Sequence, residues 1–301
     1  MPHEIRRVLR AFASQPWFID PRKAEQIVAM LELRAGGLRA EPFRDSPAAS
    51  TPVSESQGKV AIIRLYGPIM PRAEALKDVS QQAALMTEFQ RAFKAAANDA
   101  SVAGIVIDID SPGGQVDLVP ETAAMIFAAR KPGRPIVAVA NTLACSAAYW
   151  IACAADELVV TPSGEVGSIG VYVLHEDISG FLDEAGVKMT FVHEGARKVE
   201  GNPFEPLGAE AKVALQASVR AFYDLFVADV AKGRNVAESV VRADPVGDAK
   251  HFGGGRAYPA AMAVSLGMAD KVETLDSVIA RLLKSPAGRS TASARRSLAL
   301  L

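Results

Sequence analysis

From Lys59 onward, dense apolar runs alternate with stretches in which apolar positions recur every three or four residues. KVAIIRLYG (59–67), VAGIVIDID (102–110), PIVAVAN (135–141) and ELVVT (157–161) are short, nearly continuous and rich in Val and Ile, the pattern of strands buried on both faces. SIGVYVL (168–174) and VKMTFVH (187–193) extend the series as an expected fifth and sixth strand. Between the runs, Leu85, Phe89, Phe93 and Ala96 fall at helical spacing. Further helices are expected over about 118–131, from Ser146 along SAAYWIACAAD, over 209–232, and near 256–265, the last ending at Gly267. Strand and helix alternating at this spacing predict an α/β fold built on a parallel sheet covered on both faces.

The first 58 residues read differently. Val8, Leu9 and Phe12, then Ile27, Val28, Met30, Leu31 and Leu33, define two short amphipathic faces, so residues 1–40 are expected to form a helical extension. EPFRDSPAASTPVSESQG (41–58) holds three prolines and four serines without periodicity and is expected to be a flexible linker. The folded domain is then 59–284. The last 21 residues carry five basic side chains and no acidic one, and beyond Ser285 they are expected to be a basic, unfolded tail.

Half of the 301 residues are hydrophobic and 22% are charged, enough for a sizeable core, which excludes a disordered chain or a coiled coil. A net charge of −1 argues against nucleic acid as a partner. Two cysteines exclude a disulfide scaffold and suit a reducing compartment. No apolar run approaches the roughly 18 residues of a membrane span, and the first residues do not read as a secretory signal, so a cytoplasmic protein without a membrane anchor is expected.

Two stretches could carry chemistry. Asp110-Ser111-Pro112-Gly113-Gly114 follows a buried strand; two glycines there could aim backbone N–H groups at one point, as an oxyanion hole requires, or simply form a tight turn. Ser146, in LACSAAYW, opens a helix of small residues after a strand. Such a serine is either a nucleophile facing the positive end of the helix or its N-cap. Cys145 is a rival nucleophile, and Cys153 reads as core. Of His3, His175, His193 and His251, only His175 and His193 lie among the expected strands; the other candidate base is Lys198, in HEGARKVEGNPFEPL. No metal-ligand cluster or phosphate-binding loop is present, and no cofactor is expected.

Taken together, SPGG after DID, a serine 35 residues later at the head of a small-residue helix, GSIGV at 167–171, and a lysine 52 residues after that serine followed by NPF resemble the signal-peptide-peptidase-A family of Ser/Lys proteases. The leading segment VLRAFASQPWFIDPRKAEQIVAML is similar to that of its phage and prophage branch, the head-maturation proteases. The resemblance covers about residues 59–275 and implies a Clp/crotonase-like spiral of βαβ units. It implies Ser146 as nucleophile, Lys198 as general base, and the N–H groups of Gly113, Gly114 and Ala147 as oxyanion donors. Ser168 would orient the lysine amine. It also implies a protein or peptide substrate, with capsid and scaffold proteins foremost, and a homo-oligomer. Weighed against it are a housekeeping protease of the same family, a Clp-like Ser-His-Asp peptidase using His175, an acyl-thioester enzyme on the same fold, and a non-catalytic capsid assembly protein.

Overall fold

The computed structural model describes residues 54–72 and 83–284, and residues 17–19 by their backbone. Its centre is a parallel sheet. β3 (Val60–Tyr66), β6 (Gly104–Ser111) and β8 (Ile136–Cys145) lie side by side, Ile62 opposite Val106 and Val106 opposite Val137. β2 (Ser54–Gln57) pairs antiparallel with β3. On its far side β8 changes neighbour along its length: Val137–Ala140 pair with β9 (Glu157–Val160), and Leu143–Cys145 with β10 (Glu165–Gly167). β11 (Ala257–Pro259) runs antiparallel to β10, and β12 (Lys271–Val272) runs parallel to β9.

Successive side chains of these strands enter different cores. Ile105, Ile107 and Ile109 of β6 join Phe89 and Phe93 of α1 (Met86–Asn98), Val119 and Ile126 of α2 (Val119–Ala129), and the whole of α3 (Ala147–Cys153). Val106, with Val60, Ile62, Val137, Val139 and Val159, packs on Val278, Ile279 and Leu282 of α8 (Leu275–Lys284). Burial on both faces is why the strands read as unbroken apolar runs; each large aliphatic side chain removed from water contributes about 1.5–3 kcal/mol. The remaining helices are α4 (Ser179–Glu184), α5 (Ala209–Arg234), α6 (Glu238–Arg242) and α7 (Ala260–Leu266). α5 is pinned to α3 by Phe226 stacked on Trp150, ring centroids 4.7 Å apart, and by the Trp150 indole donating to Asp229 at 2.7 Å.

A second, four-stranded sheet stands beside the first, in the order β1 (Trp17–Ile19), β7 (Gly113–Gln115), β4 (Ile69–Met70), β5 (Ala84–Leu85).

The α/β architecture and four of the six expected strands stand as read. SIGVYVL is not a strand: β10 ends at Gly167, and only an isolated bridge at Tyr172 follows. The chain leaves the extended region at Ser168, where φ is 55°. VKMTFVH is not a strand either: it is coil, with Val187, Met189 and Phe191 exposed and Val192 98% exposed, and it pairs with no strand among the described residues. Apolar character there marks surface, not sheet. In the expected linker, residues 54–57 form β2, and in the expected helical extension residues 17–19 form β1. The two amphipathic faces of the extension, residues 41–53, and the basic tail beyond Ser285 lie outside the described residues.

Candidate active site

β8 ends at Cys145, Ser146 turns the chain with φ 55° and ψ −122°, and α3 begins at Ala147. This is a sharp strand–turn–helix elbow, in a backbone region that residues with a Cβ seldom enter. The fold imposes it. The Ser146 N–H donates to the Gly167 carbonyl at 2.8 Å, and its carbonyl accepts from the Trp150 N–H at 3.0 Å. Although Ser146 occupies the N-cap position, its hydroxyl makes no capping hydrogen bond to the helix. The N-cap reading of Ser146 therefore fails, and its hydroxyl is not committed to the helix.

Ser168 stands in the matching place one strand over. Cys145 and Gly167 are register partners, so the two serines follow paired residues at the same end of neighbouring parallel strands. Ser168 shares the φ of 55°, and its N–H donates to the Arg256 carbonyl at 2.8 Å. Ser146 is 1% exposed and Ser168 5%.

The glycine turn closes the corner, because β7 packs against α3. Gly113 has φ 97°, and its N–H donates to the Ser111 hydroxyl at 3.2 Å. That hydroxyl donates in turn to the Gly67 carbonyl at 2.7 Å. At Gly114 a Cβ would collide with the Ile69 carbonyl oxygen, so only glycine lets β4 and β7 approach this closely. Ser111 was passed over in the sequence; its one signal is its place directly before Pro-Gly-Gly at the end of a buried strand.

Ser146, Ala147, Ser168 and the Gly113–Gly114 strand are thus gathered around one corner. Lys198 is not among them. Its side chain is exposed, it makes no hydrogen bond to Ser146, and its own N–H caps a turn onto Gly195 at 3.0 Å. His175 is also occupied elsewhere, with Nε2 3.0 Å from the Asn202 carbonyl oxygen. His193 lies exposed, with Nδ1 3.2 Å from the Gly195 carbonyl oxygen. Both cysteines are buried and outside any disulfide, and burial pushes the Cys153 thiol up to about 12, so it stays protonated and inert.

On the α8 side of the sheet, Asp108 is buried and accepts hydrogen bonds from the Tyr66 hydroxyl and, at 3.1 Å, from the Asn141 amide. Burial pushes its carboxyl above the ordinary carboxylate range, the two hydrogen bonds acting the other way.

Residues 128–287, from the end of α2 through α8, match peptidase family S49. The chain belongs to that family. It is 33% identical over 252 residues to the head-tail preconnector protein GP5 of Enterobacteria phage P21, covering 77% of this chain and 49% of that protein. It is 32% identical over 182 residues to the capsid assembly protease C of Escherichia phage lambda, covering 60% and 41%. The S49 chain described here thus spans about half the length of the curated relatives it matches. Among solved structures, an enoyl-CoA hydratase from Polaromonas aligns at 13% identity with a TM-score of 0.41, over 77% of this chain and 74% of that one. No helix among the described residues is long and apolar enough to cross a membrane.

Proposed function

We propose that this S49 chain is a serine endopeptidase of the Ser/Lys type that processes capsid or scaffold proteins during phage head assembly, in the host cytoplasm or inside the prohead. The observation that carries the reading is the Ser146 elbow: a serine held at positive φ between strand and helix, its hydroxyl not used as a cap, beside the Gly113–Gly114 strand. The phage head assignment draws on the names of the two phage relatives.

In this reading the neutral Lys198 amine takes the Ser146 proton, and Oγ adds to the scissile carbonyl carbon. The oxyanion is held by the Ala147 N–H and by one N–H of the Gly113–Gly114 strand; if that is Gly113, it exchanges the Ser111 hydroxyl for the substrate oxygen. The lysine ammonium then protonates the leaving amine, and water attacks the acyl-enzyme with the same lysine as base. Because Lys198 is exposed while Ser146 is buried, the amine is delivered by a second copy of the chain. Leu174, Phe181, Val187, Met189 and Val192, exposed on the same segment, supply an apolar contact surface for that copy.

Mixing two dead variants tests this. Ser146→Ala and Lys198→Ala should each lose peptide hydrolysis, and Lys198→Arg should be equally inactive because a guanidinium does not give up its proton. Co-refolded Ser146→Ala and Lys198→Ala chains should recover activity, at about a quarter of the sites if head-to-tail neighbours mix at random. Wild-type protein that fails to react with a fluorophosphonate at Ser146 would overturn the assignment. Labelling without recovery on mixing would place the dyad within one chain.

A further inference from the structure

β7 has two edges, and both are taken. Ile69 of β4 lies opposite Gly114 in parallel on one side. On the other, β1 runs antiparallel, with Trp17 opposite Gln115, Phe18 opposite Gly114 and Ile19 opposite Gly113. An extended peptide docks on a sheet by pairing with an unpaired strand edge. The edge of β7 that such a peptide would need is therefore filled by the chain's own backbone.

We infer that Trp17–Ile19 is a built-in pseudosubstrate: an autoinhibitory strand that occupies the peptide-binding edge of Gly113–Gln115 and has to leave before a substrate can enter. The inference rests on the reading of β7 as the oxyanion strand of a peptidase. The sequence around β1 suits a short, detachable strand. Pro16 and Pro21 bracket it in the sequence, and neither carries an N–H to extend a ladder. Three paired residues form a ladder that is marginal without other support, so displacement is within reach of a competing peptide. If the open state were populated at about 1%, peptide affinity would be weakened about a hundredfold, and whatever detached β1 would restore it.

Two full-length variants test this by peptide binding, independently of catalysis, both in the Ser146→Ala background. Successive backbone N–H groups of a strand point to opposite edges, so replacing both Phe18→Pro and Ile19→Pro removes whichever one faces β7. A fluorescein-labelled nonapeptide covering residues 14–22 (SQPWFIDPR) should bind this double variant at least about tenfold more tightly than the parent. Backbone amides 113–115 should exchange faster in it. The opposite lock uses the register pair: Trp17→Cys with Gln115→Cys should form a disulfide on oxidation, abolish peptide binding, and regain it on reduction. Equal peptide affinity and equal exchange in parent and double variant would overturn the inference, as would failure of the paired cysteines to bridge. If binding responds as expected while the Phe18→Pro, Ile19→Pro chain with its native Ser146 neither hydrolyses peptide nor reacts with a fluorophosphonate, the occluding strand stands and the peptidase reading falls.

Discussion

Ser146 and Ser168 share a φ of 55°, and a non-glycine residue held at such a strained position costs about 1–3 kcal/mol. The hydrogen bonds from their N–H groups to Gly167 and Arg256 keep them in place. Glycine adopts positive φ without that cost, so Ser146→Gly should melt at a higher temperature than Ser146→Ala, while both lack hydrolytic activity. Differential scanning calorimetry of the two dead proteins reads this directly; equal melting points would mean that the elbow is unstrained. Asp108 gives a second test at this scale. Its carboxyl is protonated more readily in the folded than in the unfolded chain. Stability from this group is full below the unfolded-state value near 3.9 and is lost as pH rises through the folded value. The permanently neutral Asp108→Asn should therefore gain stability over wild type at pH 8 and show little gain at pH 4, measured by thermal melts at the two pH values.

At the scale of elements, the tight contact between β4 and β7 makes Gly114→Ala a sensitive probe. The added Cβ would meet the Ile69 backbone, which cannot rotate away as a side chain could. Strand separation should lower the melting temperature and, if this strand supplies an oxyanion donor as proposed, cut peptide hydrolysis at least about a hundredfold. A variant with normal hydrolysis would show that this strand is not the oxyanion wall. The strands with two buried faces were legible because Val- and Ile-rich runs such as GIVIDID have few other ways to hide from water. The run at 168–174 reads as a strand but lies wholly beyond β10, whose end is set by the turn at Ser168 and by pairing to β8 and β11, none of which leaves a local pattern. The run VKMTFVH looked like sheet for the same reason that it stands exposed: apolar composition signals a surface to be covered without naming what covers it. Helix α8 was hidden in a count of basic residues. Its Arg281 is paired with Glu157, at 3.1 and 3.2 Å, and with Glu273, and its apolar positions close the second core. Ser146 could be singled out from its small neighbours, but the elbow that distinguishes it from an N-cap is a tertiary property. Ser111 was missed because its partner, the Gly67 carbonyl, lies 44 residues away.

At the scale of the whole molecule, the chain described here holds Ser146 buried and Lys198 on its surface, and in the proposed function these two are nucleophile and base. That separation has a consequence for when the protein works. If the lysine comes from a neighbouring copy, as proposed, the chain is harmless when scarce. Hydrolysis per milligram should climb with protein concentration and collapse on dilution, in step with the size distribution measured by analytical ultracentrifugation; a specific activity that stays flat across that range would contradict it. Crowding many copies into a closed shell would then act as the trigger, and the exposure of one lysine would become a timer that starts only once the container has been filled.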